Sequence, residues 1–141
     1  MPTCYLTRVV RFNAEHRYFR PEWSAERNAA RFGDATREPG HGHAYQCAVT
    51  VRGTPDPTTG MVMDLGMLDA VLSEEIVQRF DRRHVNRDVP EYAYGKIVPT
   101  GEMLCLDVWR RVAARLPGGC ALSLVRVQED PTLYAEYRGE A

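Results

Sequence analysis

No stretch of this sequence approaches the ~20 consecutive apolar residues that crossing a bilayer requires, which excludes a helical membrane span. An excess of positive charge is also lacking: 18 Lys and Arg stand against 19 Asp and Glu, for a formal net charge of -1. Binding to a phosphate backbone runs through clustered cations, so this balance excludes a general affinity for nucleic acid. Close cysteine pairs are missing too, since Cys4, Cys47, Cys105 and Cys120 stand far apart with no Cys-x-x-Cys spacing. Thiolate zinc sites draw their ligands in close pairs, and the four thiols are instead expected to be reduced and mostly buried. Repeats and low-complexity tracts are absent, and Met1-Pro2-Thr3-Cys4-Tyr5 does not read as a signal peptide. The expected location is cytoplasmic.

What is present is the supply for one folded domain: 141 residues, 44% hydrophobic and 26% charged. Alternation marks strands over 3–12, 41–52, 121–128 and 132–138. In the third of these, Leu122, Leu124 and Arg126 fall on one side and Val125 and Val127 on the other. A short helix is expected over Ala25–Phe32, capped by Ser24 and ended by Gly33. The turn Thr54–Gly60 is followed by an extended piece at Met61–Met63. Asp64 then caps an amphipathic helix through Leu65, Leu68, Val71, Leu72, Ile76 and Phe80. A long charged connection, Asp81–Pro99, leads to Thr100, the cap of a second helix through Leu104, Val108, Val112 and Leu116. This order predicts an α+β domain, an antiparallel four-stranded sheet with both helices on one face. Its open edges favour pairing with further copies of the chain.

The chemistry concentrates in Gly40-His41-Gly42-His43. Two histidines spaced by two at a strand start point to the same face. His16 follows the first strand, and antiparallel pairing of the first two strands brings it to His41 and His43. Three imidazoles meet the need of a catalytic zinc ion, which keeps its fourth position for water or substrate. The plain alternative is three histidines of a loop and a strand with no ion between them.

Several segments together resemble the family of 6-pyruvoyl-tetrahydropterin and 6-carboxy-tetrahydropterin synthases. They are Asn13-Ala14-Glu15-His16, Phe32-Gly33, Gly40-His41-Gly42-His43-Ala44-Tyr45, Gly60-Met61-Val62-Met63-Asp64-Leu65, Pro99-Thr100-Gly101-Glu102 and Glu129. The resemblance covers nearly the whole chain. It implies the tunnelling fold, in which subunits form a barrel, as a trimer or a dimer of trimers, with active sites at subunit interfaces. It implies zinc on His16, His41 and His43, and a dihydropterin substrate held by Glu129. A carboxylate suits the pterin's amino-pyrimidinone edge because it accepts two parallel N–H bonds, although a strand-end glutamate is by default a solvated charge. Thr100 and Glu102 match the family's helix-start motif, and helix capping alone also accounts for Thr100.

Two positions depart from the family. Ala35 stands where the catalytic cysteine is expected. Asp81 matches the aspartate of an Asp-His pair, but Arg82 takes the place of the histidine, and a guanidinium is a poor base. His84 lies two residues beyond. Glu38, in Glu38-Pro39-Gly40-His41-Gly42-His43, matches a branch with Glu-x-x-His-Gly-His and no catalytic cysteine. That branch converts 7,8-dihydroneopterin triphosphate to 6-hydroxymethyl-7,8-dihydropterin, a folate precursor. The resemblance therefore implies Glu38 as base, with Asp81 and His84 as further catalytic candidates. The alternatives are a 6-pyruvoyl or 6-carboxy product made by other residues, the latter on a queuosine route, or a protein that binds zinc and pterin without turnover. Read without the resemblance, Glu38 is a solvated loop charge.

Overall fold

Strands β1 (Cys4–His16) and β2 (His41–Gly53) pair antiparallel along their whole length in the computed structural model, which describes all 141 residues. Even-numbered β1 residues Phe12, Ala14 and His16 turn inward, as do Tyr45, Cys47, Val49 and Val51 of β2. Strand β4 (Cys120–Asp130) pairs antiparallel with β2, and β5 (Leu133–Tyr137) with β4. The first strand thus runs past the alternation at 3–12 and on to His16, because β2 offers it partners to that point.

The sheet has five strands, in the order β3-β1-β2-β4-β5, and not the expected four. The addition is β3 (Arg83–His84), which lies parallel to β1 inside the connection read as a loop. Two residues carry no periodicity, so the sequence gives no sign of it. Its cause is local: Asp81 Oδ1 accepts from the Asn13 N–H at 2.9 Å, and Arg82 N–H donates to the Asn13 carbonyl at 2.6 Å. These bonds lay the chain along the β1 edge.

Two further expectations change. Residues 61–63 form no strand; the Met61 carbonyl instead accepts from Asp56 N–H at 2.9 Å, closing the preceding turn. In β4 the register shifts between the partners of Thr50 and Val51, so that Ser123 is an extra residue and Leu122 faces the core with Val125 and Val127. A bulge of one residue reverses side-chain parity, which simple alternation cannot anticipate.

The helices begin where side-chain caps place them. Ser24 accepts from Arg27 N–H at the start of α1 (Ala25–Phe32), and Asp64 from Met67 N–H at the start of α2 (Leu65–Leu72). A π-helical turn, Ser73–Val77, joins α2 to the short α3 (Gln78–Phe80). Within the connection lie α4 (Val85–Asp88) and a 3₁₀ turn, Pro90–Tyr92. Thr100 caps α5 (Gly101–Ala113). No helix is long and apolar enough to cross a membrane. Leu68, Val71, Leu72, Ile76, Leu104, Val108 and Val112 meet the inward sheet residues in one cluster of 22 buried side chains. The other sheet face is uncovered, with Tyr5 and Val9 exposed.

Buried Asp107 fastens the connection to this core. Its Oδ2 accepts from the Tyr92 hydroxyl at 2.6 Å and from Arg79 at 2.9 Å, and its Oδ1 accepts from Arg111 at 3.0 Å. Burial alone would raise its pKa, but the Tyr92 bond and the Arg79 charge outweigh burial and hold the carboxyl below its usual range. Asp107→Ala leaves Arg79 without its main partner in the interior. It should cost about 3 kcal/mol in urea unfolding, against about 1 kcal/mol for Tyr92→Phe, which deletes one hydrogen bond.

Candidate metal and ligand site

The β1–β2 register sets His16 directly opposite His41 and Ala14 opposite His43. The three inward imidazoles therefore pack edge to face, with ring centroids 4.5 Å (His16–His41), 4.9 Å (His41–His43) and 5.1 Å (His16–His43) apart. Beneath them Phe12 stacks on Tyr45 at 4.8 Å and on Phe80 at 5.5 Å. Gly40 permits the close entry of β2: a Cβ there would lie 2.5 Å from the His16 carbonyl oxygen, and its φ of 130° is one that side chains disfavour.

The protonation of His16 follows from its partners. Its Nδ1 is 2.9 Å from the Pro99 carbonyl, which can only accept, so Nδ1 carries the hydrogen and Nε2 keeps a lone pair. The Tyr45 hydroxyl lies 3.0 Å from the same Nδ1. Burial, then the His41 imidazole, push the His16 pKa down to about 3. Burial and then His43 also lower that of His41. The Nε2 atoms of His16 and His43 are buried with no hydrogen-bond partner, and one nitrogen from each of the three histidines lies within 4.8 Å of the others. Imidazoles converging with unpartnered ring nitrogens, one of them oriented by a backbone carbonyl, fit a borderline cation such as zinc.

Beside this cluster opens a cavity of about 500 Å³, lined by Tyr18, Thr100, Gly101, Glu102, Glu129 and Tyr134 among others. Glu129 is only 6% exposed, and burial raises its pKa despite the opposing pull of His43 and a Tyr18 hydrogen bond. The Tyr18 hydroxyl donates to Glu129 Oε1 at 3.2 Å, while Oε2 is 3.8 Å from His43 Nε2. Thr100 accepts from Met103 N–H at 3.2 Å and also lines the cavity.

The other sequence candidates sit elsewhere. The Glu38 side chain is 80% exposed, and its carboxylate is 3.6 Å from Arg17 Nη1. Ala35 and His41 share a hollow of about 350 Å³ with Asp34, Arg37 and Gly40. Asp81 spends an oxygen on the Asn13 N–H and has no bond to the imidazoles. Arg82 is exposed, and with Arg83 it lines a cavity of about 540 Å³ that includes Asn13, Glu15, Gly42 and His43. His84 is buried, and its Nε2 donates to the Pro39 carbonyl at 2.6 Å. Thus His16, His41, His43 and Glu129 come together, Thr100 and Glu102 border them, and Glu38, Asp81 and His84 surround them at a remove. Sequence reasoning missed Tyr18, Tyr45 and the Pro99 carbonyl. Tyr45 shares the strand parity of His41 and His43, and that was the one available signal.

In metal-free protein, the His16 ring nitrogens should show the Nδ1–H tautomer by NMR and no protonation between pH 8 and 5. The unfolded chain takes up this proton near pH 6.5, whereas the folded chain does so only at about pH 3. His16 therefore subtracts stability as the pH falls through that window. A midpoint near 6.5 for this ring would contradict the burial argument.

Residues 5–140 match the model of the 6-pyruvoyl tetrahydropterin synthase family. A 6-pyruvoyl tetrahydrobiopterin synthase of Poecilia reticulata is 38% identical over 136 residues, which span 96% of this chain and 90% of that protein. The structure of Caenorhabditis elegans 6-pyruvoyl tetrahydropterin synthase superposes with a TM-score of 0.91 at 31% identity, covering 99% of this chain and 98% of that one. A Plasmodium vivax 6-pyruvoyltetrahydropterin synthase shares the fold, with a TM-score of 0.66 at 16% identity over 97% of this chain and 98% of that one. It is described as a catalytic residue mutant, in which a glutamate is replaced by alanine. The match over nearly all of the sequence and of the α+β architecture shows that the chain belongs to the 6-pyruvoyl tetrahydropterin synthase family.

Proposed function

We propose that this chain is a zinc-dependent lyase acting on the side chain of 7,8-dihydroneopterin triphosphate and releasing 6-hydroxymethyl-7,8-dihydropterin. The observation that carries this reading is the meeting of three inward imidazoles with a cavity walled by a buried carboxylate. In it Glu129 accepts the N–H groups of the pterin's amino-pyrimidinone edge. His16, His41 and His43 would hold zinc, which when bound would supply Lewis-acid activation of the side-chain hydroxyls.

Glu38 acts as base. It takes the proton of the C2′ hydroxyl, the C1′–C2′ bond breaks, and its electron pair passes into the pterin ring. An acid then returns a proton to C1′, and C2′ leaves as the aldehyde of the triphosphate fragment. Ala35 has no group that takes a proton, which favours the nearby carboxylate. The Plasmodium protein, whose catalytic residue is a glutamate, supports the same assignment. Arg17 Nη1 lies 3.6 Å from the Glu38 carboxylate, within reach of the same substrate side chain. His84 holds the next carbonyl, that of Pro39, and Asp81 fixes the β1 edge nearby. The uncovered sheet face and the free edge of β5 support assembly into a trimer or a dimer of trimers. An active site completed at a subunit interface accords with the exposure of Glu38.

The second reading is a 6-pyruvoyl product, favoured by the names of the curated relatives at 30–38% identity. Mass analysis of the pterin formed by zinc-loaded protein decides between them. The 6-hydroxymethyl product is expected. Glu38→Ala should lower turnover by roughly 10²-fold or more with metal content unchanged, and His43→Ala should lose the metal. A 6-pyruvoyl or 6-carboxy product, or full turnover in Glu38→Ala, removes Glu38 from the mechanism. Bound zinc and pterin without any product would mean a binding protein.

A further inference from the structure

Glu129 stands between the Tyr18 hydroxyl and the imidazole cluster. Its Oε1 receives the Tyr18 hydroxyl at 3.2 Å, the one protein hydrogen bond that reaches this side chain. Its Oε2 is 3.8 Å from the unpartnered Nε2 of His43, a nitrogen of the imidazole cluster. A carboxylate is itself a good zinc ligand, so a Glu129 free to turn would settle on the cluster and leave the cavity. We infer that Tyr18 is a positioning residue that keeps the Glu129 carboxylate aimed into the cavity and off the metal ligands. The inference rests on the pterin reading above.

Tyr18 is well fixed for this task. Its ring packs edge-on against His16 at 4.9 Å and Phe32 at 5.9 Å. Its backbone N–H donates to the Ala35 carbonyl at 3.0 Å. The hydroxyl is thereby delivered to one oxygen of Glu129 from the cavity wall. One lone pair is used, and both oxygens keep others for a ligand's paired N–H groups. The remaining charged neighbours, Glu102 and Asp130, are acidic and cannot hold the carboxylate in its place.

Tyr18→Phe removes the hydroxyl and keeps the ring that packs on His16. Two measurements on zinc-loaded protein then move in different directions: the dissociation constant of neopterin, by fluorescence titration, and the rate of zinc loss to a chelator. The neopterin constant should rise about tenfold, while zinc loss stays the same or slows as Glu129 turns to the cluster. Tyr18→Phe added to Glu129→Gln should weaken neopterin no further than Glu129→Gln alone. Unchanged neopterin binding in Tyr18→Phe overturns the inference, as do losses that add in the double variant. Weaker neopterin with faster zinc loss also overturns it, because that pattern reports lost ring packing. Wild-type protein that holds zinc and ignores neopterin overturns the pterin reading itself, and this inference with it.

Discussion

His16 faces His41 across the β1–β2 ladder, and the site depends on that one register. Side chains alternate between faces with a period of two, so a slip of a single residue would turn His16 to the uncovered face. The register is held from below by Phe12, which packs between Tyr45 and Phe80, and by the inward run of Val49 and Val51. Gly40 then lets the chain enter β2 against the His16 carbonyl, where any side chain would collide. The same apolar packing that stabilises the sheet thus aligns the imidazoles.

Gathering three histidines in a dry place has a physical cost. Buried lone pairs without partners are unfavourable, and the charged forms of neighbouring imidazoles repel. The fold answers by lowering the pKa of His16 and His41 through burial and with a rigid surround. Asp107 ties α3, α5 and the connection together, and that connection carries both His84 and the Pro99 carbonyl. Ion pairs that look remote from the chemistry thus anchor the segment from which the Pro99 carbonyl meets His16.

Much of this was legible in the sequence. The strands at His41 and Cys120, the caps Ser24, Asp64 and Thr100, and the convergence of His16 with His41 and His43 all follow from spacing and side-chain type. What escaped is what lacks a period. β3 is two residues long, the bulge at Ser123 reverses parity, and both arise from pairing across the sheet. The partners of the site escaped for a related reason. Tyr18 reaches Glu129 from a segment far away in the chain, and Pro99 acts through a carbonyl that every residue possesses. Glu38 was legible as a residue type beside the histidines, but its turn toward Arg17 is a matter of loop conformation.

Pro99, Thr100 and Gly101 stand in sequence, and each serves a different part of the site. The first accepts from His16, the second starts α5, and the third lines the cavity beside Glu129. The metal half and the ligand half are therefore not independent modules, since a single tripeptide joins them. Fraying at the first turn of α5 would be transmitted to the His16 ring as freedom to exchange tautomers. The local stability of one helix end sets how long that imidazole keeps its lone pair trained on its neighbours.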